Sequence, residues 1–408
     1  MKKSAPVPKS SLQMSWASAI GLGARLENAA ADAAAQLAGE NGVLRPDLAI
    51  VFASSAYGQA IDKLPQILRS LLGDALLFGC NATGLIGGGI EEEQEPGIAI
   101  LCGRMPEVSL STLHLEQATL PPLISSREHW WRLLDTGPED AASFVLLADP
   151  ATIDAESCAR GLDRAFPGAT VIGGLSSGAQ APGAARLLAN EGLQRSGAML
   201  LALTGNVVID PVLAQGCKPI GDPLFVTACD NNLISELDGR RPKDLLTALF
   251  AELDESDRAG FGDSLCIGLA LPGPRQSIGA GDFLIRNVLG LDPDSGALWV
   301  GARLAKNAVV QFHLRDGRAA TRELEARLGE SLVAQPPPMA ALLFACAGRG
   351  RMLFGVTGHD SGTLRRQIDI PVAGMFSAGE IAPVQGATFL HGFSSAFGLI
   401  RPRAKAAS

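Results

Sequence analysis

Two glycine-rich segments with the same pattern limit the folds open to this chain of 408 residues more than any other feature. ALLFGCNATGLIGGG begins at Ala75 and ATVIGGLSSGAQAPG begins at Ala169, and each joins an apolar run to a polar, glycine-rich turn. Both lie in the same predicted order of strand, helix, strand, turn, strand and strand, over residues 47–115 and 143–216. Because order, spacing and turn chemistry agree, we predict an internally duplicated N-terminal unit.

None of the glycine-rich turns meets all the requirements of a known phosphate-binding or nucleophile motif. A P-loop needs Lys-Ser or Lys-Thr after its glycines, and GCNATGLIGGG contains neither pair. A dinucleotide-binding turn opens a helix, whereas the charged segment EEEQEPG follows here. A nucleophile elbow needs Gly-X-Ser-X-Gly at a sharp turn from a strand into a helix. GLSSG has this spacing but leads into a predicted turn instead of a helix, and GFSSA lacks the final glycine. We therefore expect a turn whose glycines adopt positive φ, with close approach of the backbone to a ligand as the alternative.

Composition and charge exclude several classes of protein. Apolar residues make up 47% of the chain and the net charge is −8, so a large core is feasible and a basic nucleic-acid-binding face is not expected. The positive start of the chain is interrupted by Pro6 and Pro8, and the uncharged stretch 381–400 is broken by proline and glycine. Neither has the continuous apolar run of a signal peptide or a membrane span. We expect a cytoplasmic protein that binds neither nucleic acid nor membrane.

Cysteine and histidine spacing predicts no metal site. The seven cysteines are an odd number without a Cys-X-X-Cys pair, which argues against a disulfide framework and a zinc knuckle. No two of the five histidines are four residues apart, as zinc ligands on one helix would be. A single histidine is enough for an axial ligand of haem iron, so haem remains an open alternative.

Polar side chains on otherwise apolar strands indicate a candidate binding region in the C-terminal half. In VVQFHLRD, alternation places Gln311, His313 and Arg315 on one face, opposite Phe312 and Leu314. Such a face is either exposed to solvent or part of a site. Four further candidates stand at predicted strand ends beside glycines: Arg286, Arg349, Glu380 and His391. Because arginine pairs with a carboxylate and glutamate accepts from an ammonium group, the set suits a small zwitterion.

Cys346 supports a second interpretation of the same region. It lies in FACAGRGRMLFG, where a predicted strand turns, with Arg349 and Arg351 close by. Nearby positive charge lowers the pKa of a thiol, and His391 or His313 would serve as its base. The chain would then be a thiol-dependent enzyme. The plain alternative is a buried cysteine at a strand end beside solvated arginines.

Segments along nearly the whole chain resemble the FIST family (F-box and intracellular signal transduction). Each segment is weak alone, but together they follow the order found in the family. They are SWASAI, PDLAIVFAS, FGCNATGLIGGG, VIGGLSSG, RSGAMLLALTGNVVIDPVLAQGCKPIG, SELDGRRPKDLL, GDFLIRNVLGLDPDSGALWVGA, VVQFHLRD, ALLFACAGRGRMLFG and PVAGMFSAGEIAPVQGATFLHGF.

The resemblance implies a sensory or ligand-binding module and not a known enzyme. Members of the family are joined to bacterial kinases, cyclases or chemoreceptors, or to an F-box in eukaryotes. Amino acids have been proposed as ligands, and some bacterial relatives bind haem and sense nitric oxide. No F-box precedes SWASAI and the chain leaves no room for a kinase, so the resemblance implies a separate downstream signalling protein.

We therefore expect a mixed α/β (α+β) protein with two sheet-containing regions. The predicted boundaries are a disordered tail at 1–15, a FIST N-terminal domain at 16–222, a FIST C-terminal domain at 223–400 and a tail at 401–408. The predicted function is a cytoplasmic sensory protein, not an enzyme, that binds a small ligand such as an amino acid. A thiol-dependent enzyme centred on Cys346 and a haem-based gas sensor are the alternatives. We predict no catalytic residue and no metal ligand, and the predicted ligand-binding residues are Arg286, His313, Cys346, Arg349, Glu380 and His391.

Overall fold

The chain divides into two compact units. A computed structural model describes residues 13–39, 45–121, 127–137, 142–178, 181–190, 192–271 and 280–404. Unit 1 comprises the described residues within Met1–Leu213, Glu325–Leu390 and Ser395–Ser408, and unit 2 those within Ala214–Leu324 and His391–Ser394. Residues 1–12 of the predicted N-terminal tail and 405–408 of the predicted C-terminal tail lie outside the described residues, and the first strand begins at Ser15 while the last strand ends at Arg401.

Helices occur along most of the described part of the chain. They are α1 (Leu26–Leu37), α2 (Leu64–Leu72), α3 (Arg127–Leu134), α4 (Ala155–Ala165), α5 (Pro242–Glu252), α6 (Glu255–Ala259), α7 (Phe261–Ser264), α8 (Gly317–Leu332), α9 (Gly350–Phe354) and α10 (His359–Gln367). A 3-10 helix over Ser55–Lys63 precedes α2. Pro242 opens α5, because its fixed φ suits the first helical position.

Strands outnumber helices in the described part of the chain. The first twelve are β1 (Ser15–Leu22), β2 (Leu48–Ser54), β3 (Leu76–Ala82), β4 (Gly84–Gly87), β5 (Ile90–Glu92), β6 (Gly97–Arg104), β7 (Val108–Leu115), β8 (Ser143–Ala148), β9 (Thr170–Leu175), β10 (Leu187–Ala189), β11 (Gly192–Gln194) and β12 (Ala198–Gly205). The others are β13 (Val208–Ala214), β14 (Cys217–Asp230), β15 (Leu233–Leu237), β16 (Leu265–Ala270), β17 (Phe283–Leu291), β18 (Leu298–Val300), β19 (Val309–Arg315), β20 (Ala340–Cys346), β21 (Val372–Ser377), β22 (Glu380–Val384), β23 (Ala387–His391) and β24 (Ser395–Arg401).

Unit 1 is built on three six-stranded sheets, which makes the protein a mixed α/β fold as predicted. Their strand orders are β1-β6-β2-β3-β10-β11, β23-β22-β9-β8-β12-β7 and β13-β24-β20-β21-β4-β5. Each sheet contains one parallel pair, β2 with β3, β8 with β9, or β20 with β21. The central strands β2 and β8 are buried along their whole length, and β6 is buried up to its last residue, Arg104, as expected for strands covered on both faces.

The glycine-rich segments connect the three sheets. After β3 the chain leaves its sheet, and β4 pairs with β21 of another sheet. After β9 the chain crosses in the same way, and β10 pairs with β3. After β21 it crosses again, and β22 pairs with β9. The segment that we expected to be only a turn therefore contains a strand, Gly84–Gly87. Local sequence hides this strand because its partner is almost 300 residues away along the chain. What recurs in the structure is the arrangement of strands in the sheets, and duplication of the sequence itself stays a prediction.

Unit 2 contains a closed barrel with the strand order β14-β15-β18-β17-β16-β19. Phe312 and Leu314 pack into its apolar interior beside Ile267, so the predicted alternation along β19 is confirmed. β14 was not expected, because Pro219 and Pro223 interrupt the apolar pattern of that segment. A shift of register between Ile220 and Leu224 accommodates the second proline.

Among the helices that the structure describes, none combines the length and the apolar character that crossing a bilayer requires.

Candidate functional site

The carboxyl ends of the parallel strands β20 and β21 carry the polar cluster that we consider first. Cys346 is the last residue of β20 and lies directly opposite Ser377, the last residue of β21. β20 is otherwise apolar and buried, and Cys346 is its first half-buried residue. Ligand sites of α/β sheets lie outside the carboxyl ends of parallel strands, so this edge is a natural place for a site.

Arg349 follows Cys346 in a tight turn and is completely buried. Its backbone N–H donates to the Cys346 carbonyl over 2.8 Å. Its guanidinium donates from Nε and Nη2 to the two carboxylate oxygens of Asp360, over 2.7 and 2.8 Å. The guanidinium carbon also lies 5.3 Å from the centre of the Phe354 ring. The arginine therefore has the two-pronged geometry that we expected for a ligand carboxylate, but its partner is a carboxylate of the protein.

The buried ion pair changes the titration of both partners. Burial is the largest influence on Asp360 and opposes its ionisation, but the charges and hydrogen bonds of Arg349 and His359 outweigh it, so the pKa of Asp360 lies well below its ordinary value. Burial likewise opposes the charge of Arg349, yet Asp360 raises the pKa of the guanidinium above its ordinary value. Both groups therefore stay charged at neutral pH.

Glu380 belongs to the same cluster. It is the first residue of β22, is completely buried, and accepts a hydrogen bond of 2.6 Å from Ser377 Oγ. Besides Asp360, both Cys346 and Glu380 raise the pKa of Arg349, so the three groups lie close to one another. The structure thus brings together three of the six predicted residues, Cys346, Arg349 and Glu380, in unit 1.

Sequence reasoning missed four polar members of this region: Ser377, Asp360, His359 and Glu91. His359 stacks on Phe354 with ring centres 3.4 Å apart, and its Nδ1 lies 2.8 Å from Asp360. Glu91 accepts from the backbone N–H of Ser361 over 2.6 Å, and burial, followed by the charge of Asp360, raises its pKa. Acidic residues in polar segments such as EEEQEPG usually lie in solvated loops. Only burial in the folded protein distinguishes a residue such as Glu91 from its exposed neighbours.

His313 is the best-defined candidate in unit 2. It has no exposed surface, lies edge-on to Phe283 with ring centres 5.3 Å apart, and places Nδ1 3.0 Å from the Gln311 carbonyl. Burial lowers its pKa, so the ring is neutral and Nδ1 carries the proton that the carbonyl accepts. Within the described part of the chain, Nε2 has no hydrogen-bond partner.

The other two candidates of unit 2 are held differently. Arg286 donates from Nη1 to the carbonyl of Ile285 over 2.9 Å and is half-buried on β17. His391 is buried at the end of β23. Two residues further along, the ring of Phe393 lies beneath Arg315, with 4.8 Å between the guanidinium carbon and the ring centre. The six predicted residues thus divide equally between the two units, and a shared pocket for all of them stays a prediction.

The arrangement does not fit haem. An axial histidine must face a space wide enough for the porphyrin. His313 is wedged so tightly that a Cβ on Gly268 would lie 2.7 Å from its Cε1. Among the described residues no group of three or more His, Cys, Asp or Glu side chains is placed to hold a metal ion.

Comparison with known proteins places both halves of the chain in one family. Residues 47–240 match the model of the FIST N domain, and residues 244–383 match that of the FIST C domain. An uncharacterized protein of Mycobacterium tuberculosis strain H37Rv is 35% identical over 377 residues, which cover 92% of this chain and 96% of that protein. An uncharacterized protein of Mycobacterium bovis is 34% identical over 374 residues, covering 91% and 94%.

Among solved structures, the crystal structure of cyanuric acid hydrolase from A. caulinodans aligns with 96% of this chain and all of its own chain. The identity is 12% and the TM-score 0.34, a similarity too weak to bear on the fold or the activity of this chain.

Proposed function

This chain belongs to the FIST family, whose domains are sensory domains, and we propose that it is a cytoplasmic sensory protein that binds a small molecule and signals through a separate partner. The buried pair of Arg349 and Asp360 beside Glu380 is the observation that carries the proposal. A buried ion pair adds little net stability compared with apolar residues of similar volume. Buried charges at a strand edge are therefore better explained by a role in binding than by a role in folding.

The chemistry of the cluster suits a small polar ligand. Glu380 is an acceptor and Arg349 carries a permanent positive charge, so groups of both signs lie close together. A ligand that hydrogen-bonds to Ser377 or Glu380 would alter their hydrogen bond and, through Arg349, the position of Asp360 at the start of α10. That route connects occupancy to a helix end that a partner protein could recognise.

Native mass spectrometry of freshly purified protein tests this function. We expect a small ligand that is retained in the native spectrum and lost on denaturation, and a melting temperature that falls when the ligand is removed. Glu380→Gln, which keeps the shape and removes the charge, should lower retention. The matched control is Glu325→Gln, which removes a charge from the surface of the same unit. Absence of any retained ligand, or equal retention in both variants, contradicts the proposal.

A thiol-dependent enzyme is the second candidate, supported by the position of Cys346. This thiol is half-buried and close to the Arg349 guanidinium, whereas Cys102 and Cys158 are buried and burial raises the pKa of each to about 12. A thiol-reactive probe at neutral pH distinguishes the two functions. Labelling of Cys346 much faster than that of half-buried Cys229, abolished in Arg349→Met, would favour the enzyme.

A further inference from the structure

A cavity of about 670 Å³ lies in unit 1, apart from the six predicted residues. Its walls come from β1, from the turn between β4 and β5, from α10, and from the chain that leads into β21. The volume lies within the range of small-molecule sites, about 300–1,000 Å³. The residues that matter for its chemistry are Trp16, Ser18, Gln36, Arg365, Asp369 and Pro371.

One wall of the cavity is the open edge of β1. This strand is the last in its sheet and pairs with β6 on one side. The side-chain amide of Gln36 covers the other side at Ile20, accepting from its N–H over 3.4 Å and donating to its carbonyl over 2.8 Å. Alternate residues of a strand turn their backbone groups to the same side, so Ser18 and Trp16 direct theirs toward the cavity as well.

Trp16 supplies a donor that the protein leaves unused. Its side chain is buried, with 7% of its surface exposed, and Nε1 has no hydrogen-bond partner within the part of the chain that the structure describes. The Cε3–Cζ3–Cη2 edge of the ring covers Gly103 on β6, where a Cβ would lie 2.5 Å from Cζ3. Nε1 is on the opposite edge of the indole from these three atoms and is itself inaccessible to solvent. A buried N–H without an acceptor costs about 1–3 kcal/mol, so an acceptor supplied by a ligand would be stabilising.

Two charged side chains lie at the rim. Arg365 donates from Nη1 to the carbonyl of Gly89 over 3.1 Å, which holds the guanidinium at the β4–β5 turn. Asp369, which follows Arg365 in the sequence, also lines the cavity, and Pro371 and Val372 add apolar surface. From this lining we propose that the cavity binds a small molecule with a carboxylate, which pairs with Arg365 while its apolar part lies against Pro371. The buried indole of Trp16 would shift toward the ligand, so that Nε1 donates to the same carboxylate.

The cavity is connected to the buried cluster through α10. Ser361 contributes to the cavity wall and directly follows Asp360, the partner of Arg349. Arg365 is four residues further along the same helix, on the same face. A bound carboxylate would therefore order the helix that carries Asp360. This inference deepens the proposed function by naming a binding site and a ligand class, and it rests on that function only for its sensory meaning.

Binding of three probes of nearly equal shape tests the cavity directly. 3-Phenylpropionate is the carboxylate, 3-phenylpropanamide the neutral analogue and 3-phenylpropylamine the cation, and ligand-observed NMR measures the affinity of each. We expect the carboxylate to bind at least about tenfold more tightly than the other two, and its affinity to fall as salt is added.

Two substitutions with matched controls locate the binding. Arg365→Gln should weaken phenylpropionate by about tenfold or more, and Trp16→Phe, which keeps a ring and removes the N–H, by about fivefold. Arg366→Gln and Trp131→Phe remove the same groups at positions outside the cavity wall and should leave affinity unchanged. Equal binding of the acid and the amine, or wild-type affinity in both cavity variants, overturns the inference.

The two proposals fail in different ways. If the retained ligand is lost in Glu380→Gln but kept in Arg365→Gln and Trp16→Phe, the cavity assignment is wrong and the sensory function stands. If the purified protein retains no ligand but phenylpropionate binds in an Arg365-dependent manner, the cavity stands and the proposed function fails.

Discussion

Arg349 and Asp360 form a two-pronged ion pair with 0% and 2% of their side-chain surfaces exposed. The pair joins the turn after β20 to the first turn of α10, eleven residues further along the chain. Its burial makes each partner depend on the other, because either charge alone would be left in an apolar environment.

Asp360→Asn should therefore destabilise the protein by about 3–5 kcal/mol, because it leaves the Arg349 charge buried without its counter-ion. Urea unfolding at neutral pH measures the effect. The double variant Arg349→Met/Asp360→Asn should lose less than the sum of the two single variants, since it removes both charges. Strict additivity would show that the two side chains do not interact.

Two buried carboxyl groups, Asp360 and Glu91, should affect the pH dependence of stability in opposite directions. The pKa of Asp360 lies below its ordinary value of 3.8, so its contribution is present above that value and is lost as the pH falls toward the lower folded pKa. The pKa of Glu91 is raised above 4.5, so folding loses stability as the pH rises through 4.5 toward the raised value. Glu91→Gln should gain stability relative to the wild type over that rise, as measured by urea midpoints at a series of pH values. A constant difference between variant and wild type would contradict the burial of the charge.

His313 should make unit 2 sensitive to mild acid. Burial lowers its folded pKa below 6.5, so the unfolded chain takes up a proton first and stability falls as the pH drops through 6.5 toward the folded value. His313→Gln should remove this loss. Amide hydrogen exchange along β16 and β19, measured at a series of pH values, follows the stability of unit 2. If stability depends on pH equally in the variant and the wild type, His313 is not the group responsible.

Gly374 should tolerate no side chain, because a Cβ there would lie 1.8 Å from the carbonyl oxygen of Leu343 on the parallel strand β20. Gly79 and Gly173 stand in the same relation to Val51 and Leu146 in the other two sheets. Gly374→Ala should destabilise by more than about 3 kcal/mol, since the strands must separate. Gly262→Ala is the control, because nothing lies within 4 Å of its Cβ position. Similar urea midpoints for both variants would show that the strands are not so closely packed.

Local pattern was sufficient for most individual elements. The run DLAIVFAS predicts β2, Pro242 marks the start of α5, and alternation along VVQFHLRD separates Phe312 and Leu314 in the barrel from His313 on the other face. These features depend on residues close together in the chain, where periodicity and backbone preference act directly. Three candidate residues, Cys346, Arg349 and Glu380, could also be found, because polar groups that follow apolar strands are conspicuous.

Local sequence pattern could not predict which strands pair with each other or which charged side chains form ion pairs. The glycine-rich segment after β3 has the composition of a turn, yet Gly84–Gly87 is a strand because β21 lies beside it. Asp360 has the composition of an exposed loop, yet it is the counter-ion of Arg349. The unused indole N–H of Trp16 is visible only once β6 and the cavity are in place.

The sequence by itself determined most of the strands and helices, such as β2 and α5, because burial period and turn chemistry are local properties. Only the tertiary structure decided how the three sheets exchange strands and which charges are buried, because both depend on contacts between residues far apart in the chain, whose free energy no short segment contains.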